Sequence, residues 1–135
     1  MGRKGNLIFK NLIDKKYNIM KEYMMIFLGA DYKELGLSPE QLQERMGKWF
    51  GWSQKMEAAG VLRGGNALHP AVRHVTGKDR VVTDRAAGEI KELVGGYYIV
   101  AAENMDAVVK IAEDYPDYDL DGKVEIREVI VFDRD

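Results

Sequence analysis

The sequence predicts an α+β domain: one antiparallel sheet carrying two main helices on one of its faces. Three observations carry that expectation. Strand-like and helix-like stretches alternate in the order β-α-β-(β-β)-β-α-β. Each of the two helical stretches opens on its own capping residue. The most β-branched and aromatic run, "GGYYIVAA", stands between them rather than at an end. At 135 residues, 46% apolar and 31% charged, the chain has the size and composition of one globular domain able to bury a core without staples.

The elements follow in order. "YMMIFL", Tyr23 to Leu28, is a short apolar run closed by Gly29 and reads as a buried strand. In "GLSPEQLQERMGKWFGWSQKMEAAG", Ser38 is the expected N-cap, Pro39 the first helical residue and Gln41 the third, a capping box. Leu42, Met46, Trp49, Ser53 and Met56 recur at spacings of three and four, with Trp52 beside them, so they trace the face expected to meet the sheet. Gly60 is the expected stop. "VLRGG" reads as a strand ending in a double glycine, and "HPAVRHVTGKDRVVTD" as two short strands about the turn "TGKD". "GGYYIVAA" is the next strand. "NMDAVVKIAEDYP" is a helix capped by Asn104, its inner face drawn from Met105, Val108, Val109 and Ile111/Ala112. "KVEIREVIVF" closes the chain as a strand. With sequential helices returning over one sheet, this order predicts a ferredoxin-like arrangement.

Composition excludes several chemistries. With no cysteine, disulfides, thiolate nucleophiles, zinc–thiolate sites and iron–sulfur clusters are all removed, which suits a reducing cytoplasm. Two histidines, His69 and His74, are too few for an all-protein transition-metal site, so neither a metal nor a cofactor is expected. Ser38 and Ser53 are the only serines, and neither stands in a nucleophile-elbow context. The net charge of −2 is uneven: residues 1–20 carry five cations against Asp14, a net of +4 that leaves −6 for the rest. An acidic body argues against nucleic acid as a partner. Residues 1–20 read as a basic N-terminal extension whose apolar run is interrupted by Lys10 and Asp14, so it is neither a signal peptide nor a membrane span.

"DYDLDGKVEIRE", residues 117–128, matches the calcium loop of an EF-hand position for position. Its context argues otherwise. The exit "EIREVIVF" is strand-like where an EF-hand needs a helix, Pro116 ends the incoming helix early, and no second loop exists. The expectation is a polar turn in which Asp121-Gly122 opens the last strand, with a weak surface site at Asp117, Asp119 and Asp121 as the alternative.

The blocks "KEYMMIFLGADY", "LSPEQLQERMGKWFGWSQKMEAAGVLRGGNALHP" and "VVTDRAAGEIKELVGGYYIVAAENMDAVVKIAED" resemble, in that order, the YCII-related domain family, in the branch named for its Asp-Gly-Pro-Phe motif. The resemblance implies a domain spanning residues 21–135 whose subunits pair as a homodimer, a dimeric α+β barrel. It further implies a cytoplasmic small-molecule-binding protein, with a divergent lyase-like enzyme inside that reading. The alternative it carries is a non-catalytic regulatory or protein-interaction module, because such relatives are often associated with extracytoplasmic-function sigma factors. Two departures stand out. Where the motif is expected the chain reads Asp84-Arg85-Ala86-Ala87, and where enzymatic relatives carry a helix histidine it has Trp49.

The candidate site residues follow from chemistry at those places. Asp84, at a strand end, and His69, before Pro70, are the candidate catalytic groups, as a carboxylate and an imidazole able to move protons. Trp49, Arg73, Arg85, Glu89 and Lys91 are the candidate ligand-binding set: an aromatic wall for a planar molecule, cations for an anionic one, and an acidic–basic turn beside the cleft. Arg63 is a further candidate anion holder, while His74 alternates with Val75 and is expected to face solvent. The expected ligand is therefore small and either anionic or aromatic.

Overall fold

A computed structural model of the chain describes residues 20–85 and 92–132. Except for Met20, the expected basic extension lies outside the described residues, as do Glu89 and Lys91. Ten elements are described: β1 (Lys21–Gly29), a one-turn α1 (Tyr32–Leu35), α2 (Pro39–Ala58), β2 (Leu62–Ala67), β3 (Val72–Thr76), β4 (Val81–Arg85), β5 (Leu93–Ala102), α3 (Met105–Ala112), a 3₁₀ turn (Tyr118–Leu120) and β6 (Lys123–Glu128). Strands pair in the order β2-β5-β1-β6, antiparallel throughout, which is the ferredoxin-like sheet.

Period-two alternation on β1 builds the core. Tyr23, Met25 and Phe27 are buried on one face, while Met24 and Ile26 are half-buried on the other. The inner three join Val100 of β5, Trp52 and Met56 of α2, and Val108 and Ala112 of α3 in one cluster. Burying each large side chain contributes about 1.5–3 kcal/mol.

Local chemistry sets the helix bounds. The Ser38 hydroxyl accepts from the Gln41 amide at 3.2 Å and the Gln41 side chain accepts from the Ser38 amide at 2.8 Å, so the capping box is complete. At the other end Gly60 takes φ +72°, and the Gly60 and Val61 amides bond back to the carbonyls of Glu57 and Met56, a Schellman closure. The Asn104 side chain accepts from the Ala107 amide at 2.9 Å and starts α3.

Two expected faces differ from the structure. Met46 is 43% exposed, because it borders a cavity instead of meeting the sheet. Met105 and Val109 of α3 are likewise exposed, leaving Val108 and Ala112 to meet the core; a helix of eight residues presents only a narrow stripe. Strands β3 and β4 pair only with each other, with Val75 opposite Val82, and both valines are more than half exposed. Their β-branched pattern correctly predicts strands, but the hairpin lies outside the main sheet.

Candidate functional site

Between α2 and the ends of β1, β2 and β5 lies a cavity of about 470 Å³, within the usual range for small-molecule sites. Phe27, Leu28 and Gly29 of β1 form one wall, and Met46, Trp49, Phe50 and Ser53 of α2 the opposite one. The ends of β2 and β5 close a third side through Asn66, Leu68, Gly95, Gly96 and Tyr98. Tyr32, Leu35, Tyr115, Asp117, Leu120 and Gly122 complete it.

Glycine lets two strand backbones meet at this wall. A side chain at Gly96 would place its Cβ 2.7 Å from the Asn66 carbonyl oxygen, and one at Gly65 would fall 2.5 Å from that of Tyr97. The double glycines therefore mark close backbone approach beside a register shift, as their pairing in sequence suggests.

Aromatic rings form the rigid wall. Phe27 lies with its centroid 5.0 Å from Trp49 and 5.1 Å from Tyr98, both edge-on, and stacks on Tyr115 at 5.4 Å. Trp52 backs them, 5.6 Å from Trp49, and donates its indole N–H to the Ile111 carbonyl at 3.0 Å. Edge-to-face pairs add about 0.5–1.5 kcal/mol each beyond their buried area.

A polar chain runs along one side of the cavity. The Trp49 indole donates to the Tyr32 hydroxyl at 2.9 Å, and Tyr32 donates to Asp117 Oδ2 at 2.5 Å. Arg45 then gathers the loop: its Nη1 donates to the Pro116 carbonyl at 2.7 Å, to Asp119 Oδ1 at 2.6 Å and more distantly to Asp117 Oδ1 at 3.4 Å, while Nη2 donates to Asp119 Oδ2. Asp117 is 8% exposed and needs these partners, since a buried lone carboxylate is costly. Burial, reinforced by the bond to Asp117, pushes the Tyr32 hydroxyl well above the ordinary phenol range. Tyr115 is raised also, first by burial and then by the nearby Asp117 charge. Arg45 holds the Asp119 carboxyl below its usual value.

The loop that resembles a calcium site is thus a polar turn tied to α2. Asp121 takes φ +60° and closes the 3₁₀ turn, Gly122 follows, and β6 leads away as a strand. Among the described residues no three acidic or imidazole groups converge to hold a metal ion.

The expected site residues scatter. Trp49 lines the cavity. His69 lies exposed between two lining residues, Leu68 and Pro70. Asp84 and Arg73 form an ion pair at 2.7 Å on the hairpin, both side chains 75% exposed, and neither lines the cavity. Arg85 ends β4 opposite Val72. Arg63 donates to the Gly60 carbonyl at 2.6 Å and so serves the end of α2. Sequence reasoning passed over Tyr32 and Arg45. Arg45 precedes Trp49 by one helical turn, a spacing that could have flagged it, whereas Tyr32 carries no local signal.

A profile of the YCII-related domain matches residues 22–133, which include the main sheet except for the first residue of β1, the three described α-helices and the cavity. The chain belongs to the YCII-related domain family. No curated protein matches it at a significant level. Among the described residues of this YCII-related chain no helix is long and apolar enough to cross a membrane.

Proposed function

We propose that this YCII-related domain binds a small, mainly apolar molecule in the cavity beneath α2. The observation that carries the reading is the cavity itself: about 470 Å³ against a rigid aromatic wall, with polar groups confined to one side. Trp49 is its central contact. The Tyr32–Asp117 pair is the group able to orient a ligand or exchange a proton with it, which keeps divergent lyase-like chemistry within the reading. In this proposal Asp84, Arg85 and His69 take part only if the hairpin and the segment before it approach a cavity within an assembled pair.

Thermal-shift screening of neutral aromatic molecules tests the binding. A ligand present at a hundred times its Kd adds about 2.7 kcal/mol of stability. The hit should disappear in Met46→Trp, which fills the cavity from an exposed position. If Met46→Trp retains the same shift, the ligand binds elsewhere and the reading fails.

We also propose that the subunits pair. The sheet face opposite the helices carries Met24, Ile26, Tyr97 and Ile99, all half-buried, and no described helix covers it. Ile130, Val131 and Phe132 continue beyond β6 with about 70% exposure each. A contiguous apolar face of this kind favours a second copy as occupant. The same exposed surfaces support the alternative of a regulatory module that docks on another protein, a sigma-factor-associated partner among them. Light scattering at micromolar concentration distinguishes these, since a monomer removes the homodimer. Placement in the Asp-Gly-Pro-Phe branch, cytoplasmic residence and a domain boundary near residue 20 belong to the same proposal, supported by Asp84, by the lack of cysteine and by the start of β1 at Lys21.

A further inference from the structure

We infer that the cavity selects a ligand whose apolar body ends in a protonated amine, and that Tyr115 and Asp117 receive that head. The inference rests on the proposed binding role and adds the charge of the ligand to it. Two independent observations carry it.

The first is the sign of the lining. Among the described residues the charged side chains that line the cavity are Asp31 and Asp117, with no lysine, arginine or histidine between them. Arg45 is engaged with Asp117 and Asp119 and is not part of the lining. An anion entering such a space meets the Asp31 carboxylate and an Asp117 whose cation, Arg45, is shared with Asp119, and finds no cation in the lining to hold it. A cation meets those carboxylates together with the aromatic lining of Trp49, Tyr98 and Phe27, and π-systems attract a cation. A small anionic ligand, expected from the arginines of the sequence, finds no countercharge here.

The second observation is an orphan. Tyr115 is 5% exposed and lines the cavity, yet its hydroxyl has no hydrogen-bond partner among the described residues. Buried hydroxyls normally have one, and the exceptions in native proteins call for an explanation. Its position is set by Gly122: a Cβ there would fall 2.6 Å from the Tyr115 hydroxyl oxygen and 2.9 Å from the Asp117 carbonyl oxygen. The phenol oxygen is therefore packed directly on Gly122, in the part of the lining that Asp117 shares. Burial keeps the phenol protonated, so its oxygen remains a neutral acceptor. An ammonium, with three donors, can address Tyr115 and the Asp117 carboxylate together. A carboxylate head could use only the phenol hydrogen.

The test compares three molecules sharing one body (2-phenylethylamine, 2-phenylethanol and phenylacetate) on the full chain at pH 7, by tryptophan fluorescence and calorimetry. The expected order is amine first, alcohol about tenfold weaker and carboxylate undetectable. In Tyr115→Phe, which keeps the ring on Phe27, amine affinity falls about tenfold while the melting temperature of the free protein is unchanged or higher. In Asp31→Asn, a change at a half-buried lining residue, the discrimination between amine and carboxylate narrows. Equal binding of alcohol and amine, or tighter binding of phenylacetate, overturns the inference and leaves the binding reading standing. Unchanged amine affinity in Tyr115→Phe overturns it as well. If none of the three binds, both the inference and the binding reading fall.

Discussion

Two stretches of α2 face the same sheet and do opposite things. The stretch toward its C-terminus lays Trp52 and Met56, each under 5% exposed, into the core against Val100 and Val108. The stretch just before it, from Arg45 to Phe50, borders open space through Met46 and Phe50 even though it belongs to the same helix. What holds that earlier stretch is polar: Arg45 gripping residues 116–119, and Trp49 reaching Tyr32. Apolar packing closes one end, and directional bonds hold the other beside an open cavity.

The largest test of that contrast is Phe27→Ala. Phe27 joins the two stretches by touching Trp49, Trp52, Tyr98 and Tyr115, so its removal should cost about 3–5 kcal/mol in urea denaturation. A loss below 1 kcal/mol would mean that the rings repack and the wall is not rigid. Arg45→Met should cost about 2 kcal/mol, because Asp117 stays buried without its cation, and should raise hydrogen exchange in residues 116–122. If exchange is unchanged there, Arg45 is not what holds the loop.

A smaller effect comes from pH. Tyr32 and Tyr115 have native pKa values raised above the unfolded value of 10, chiefly by burial. The stability they contribute is complete below pH 10 and is lost as pH rises through their higher native values, so the melting temperature should fall progressively above pH 10. Tyr32→Phe should blunt that slope; an unaltered slope would assign it to other groups. Asp119 acts in the opposite sense: its lowered value gives a contribution present above about pH 4 and lost on acidification through that value. Smallest of all is Phe50→Ala, which should change stability by under about 0.5 kcal/mol because the ring is 67% exposed, yet weaken any ligand in the cavity. A large destabilisation would show that the earlier stretch is packed after all.

The hairpin β3–β4 extends the lesson about what sequence can specify. Val75, Val81 and Val82 are as β-branched as the residues of β5, and both stretches form strands. Only β5 is buried, because Val100 and its neighbours lie between β1 and β2 whereas the hairpin pairs with itself. Propensity reports extension; it does not report what the extended chain packs on. Asp84 shows the same gap at a candidate site: it sits at a strand end as expected, but on the hairpin, where Arg73 engages it in solvent.

By itself, then, the sequence determined the local structure. Ser38, Pro39 and Gln41 start α2, Gly60 stops it and Asn104 starts α3, because caps and left-handed stops depend on neighbouring residues alone. It also determined the α+β class of the fold, since short connections and helices returning over one face leave few alternatives. Tertiary structure alone decided the cavity and its charge. The Asp-rich loop at 117–121 has the spacing of a calcium site, but which cation meets its carboxylates depends on Arg45, more than seventy residues earlier. Tyr32, Trp49, Tyr115 and Asp117 converge only when β1, α2 and the turn before β6 are brought together. Spacing along the chain records local geometry, and a site assembled from distant segments leaves no spacing to read.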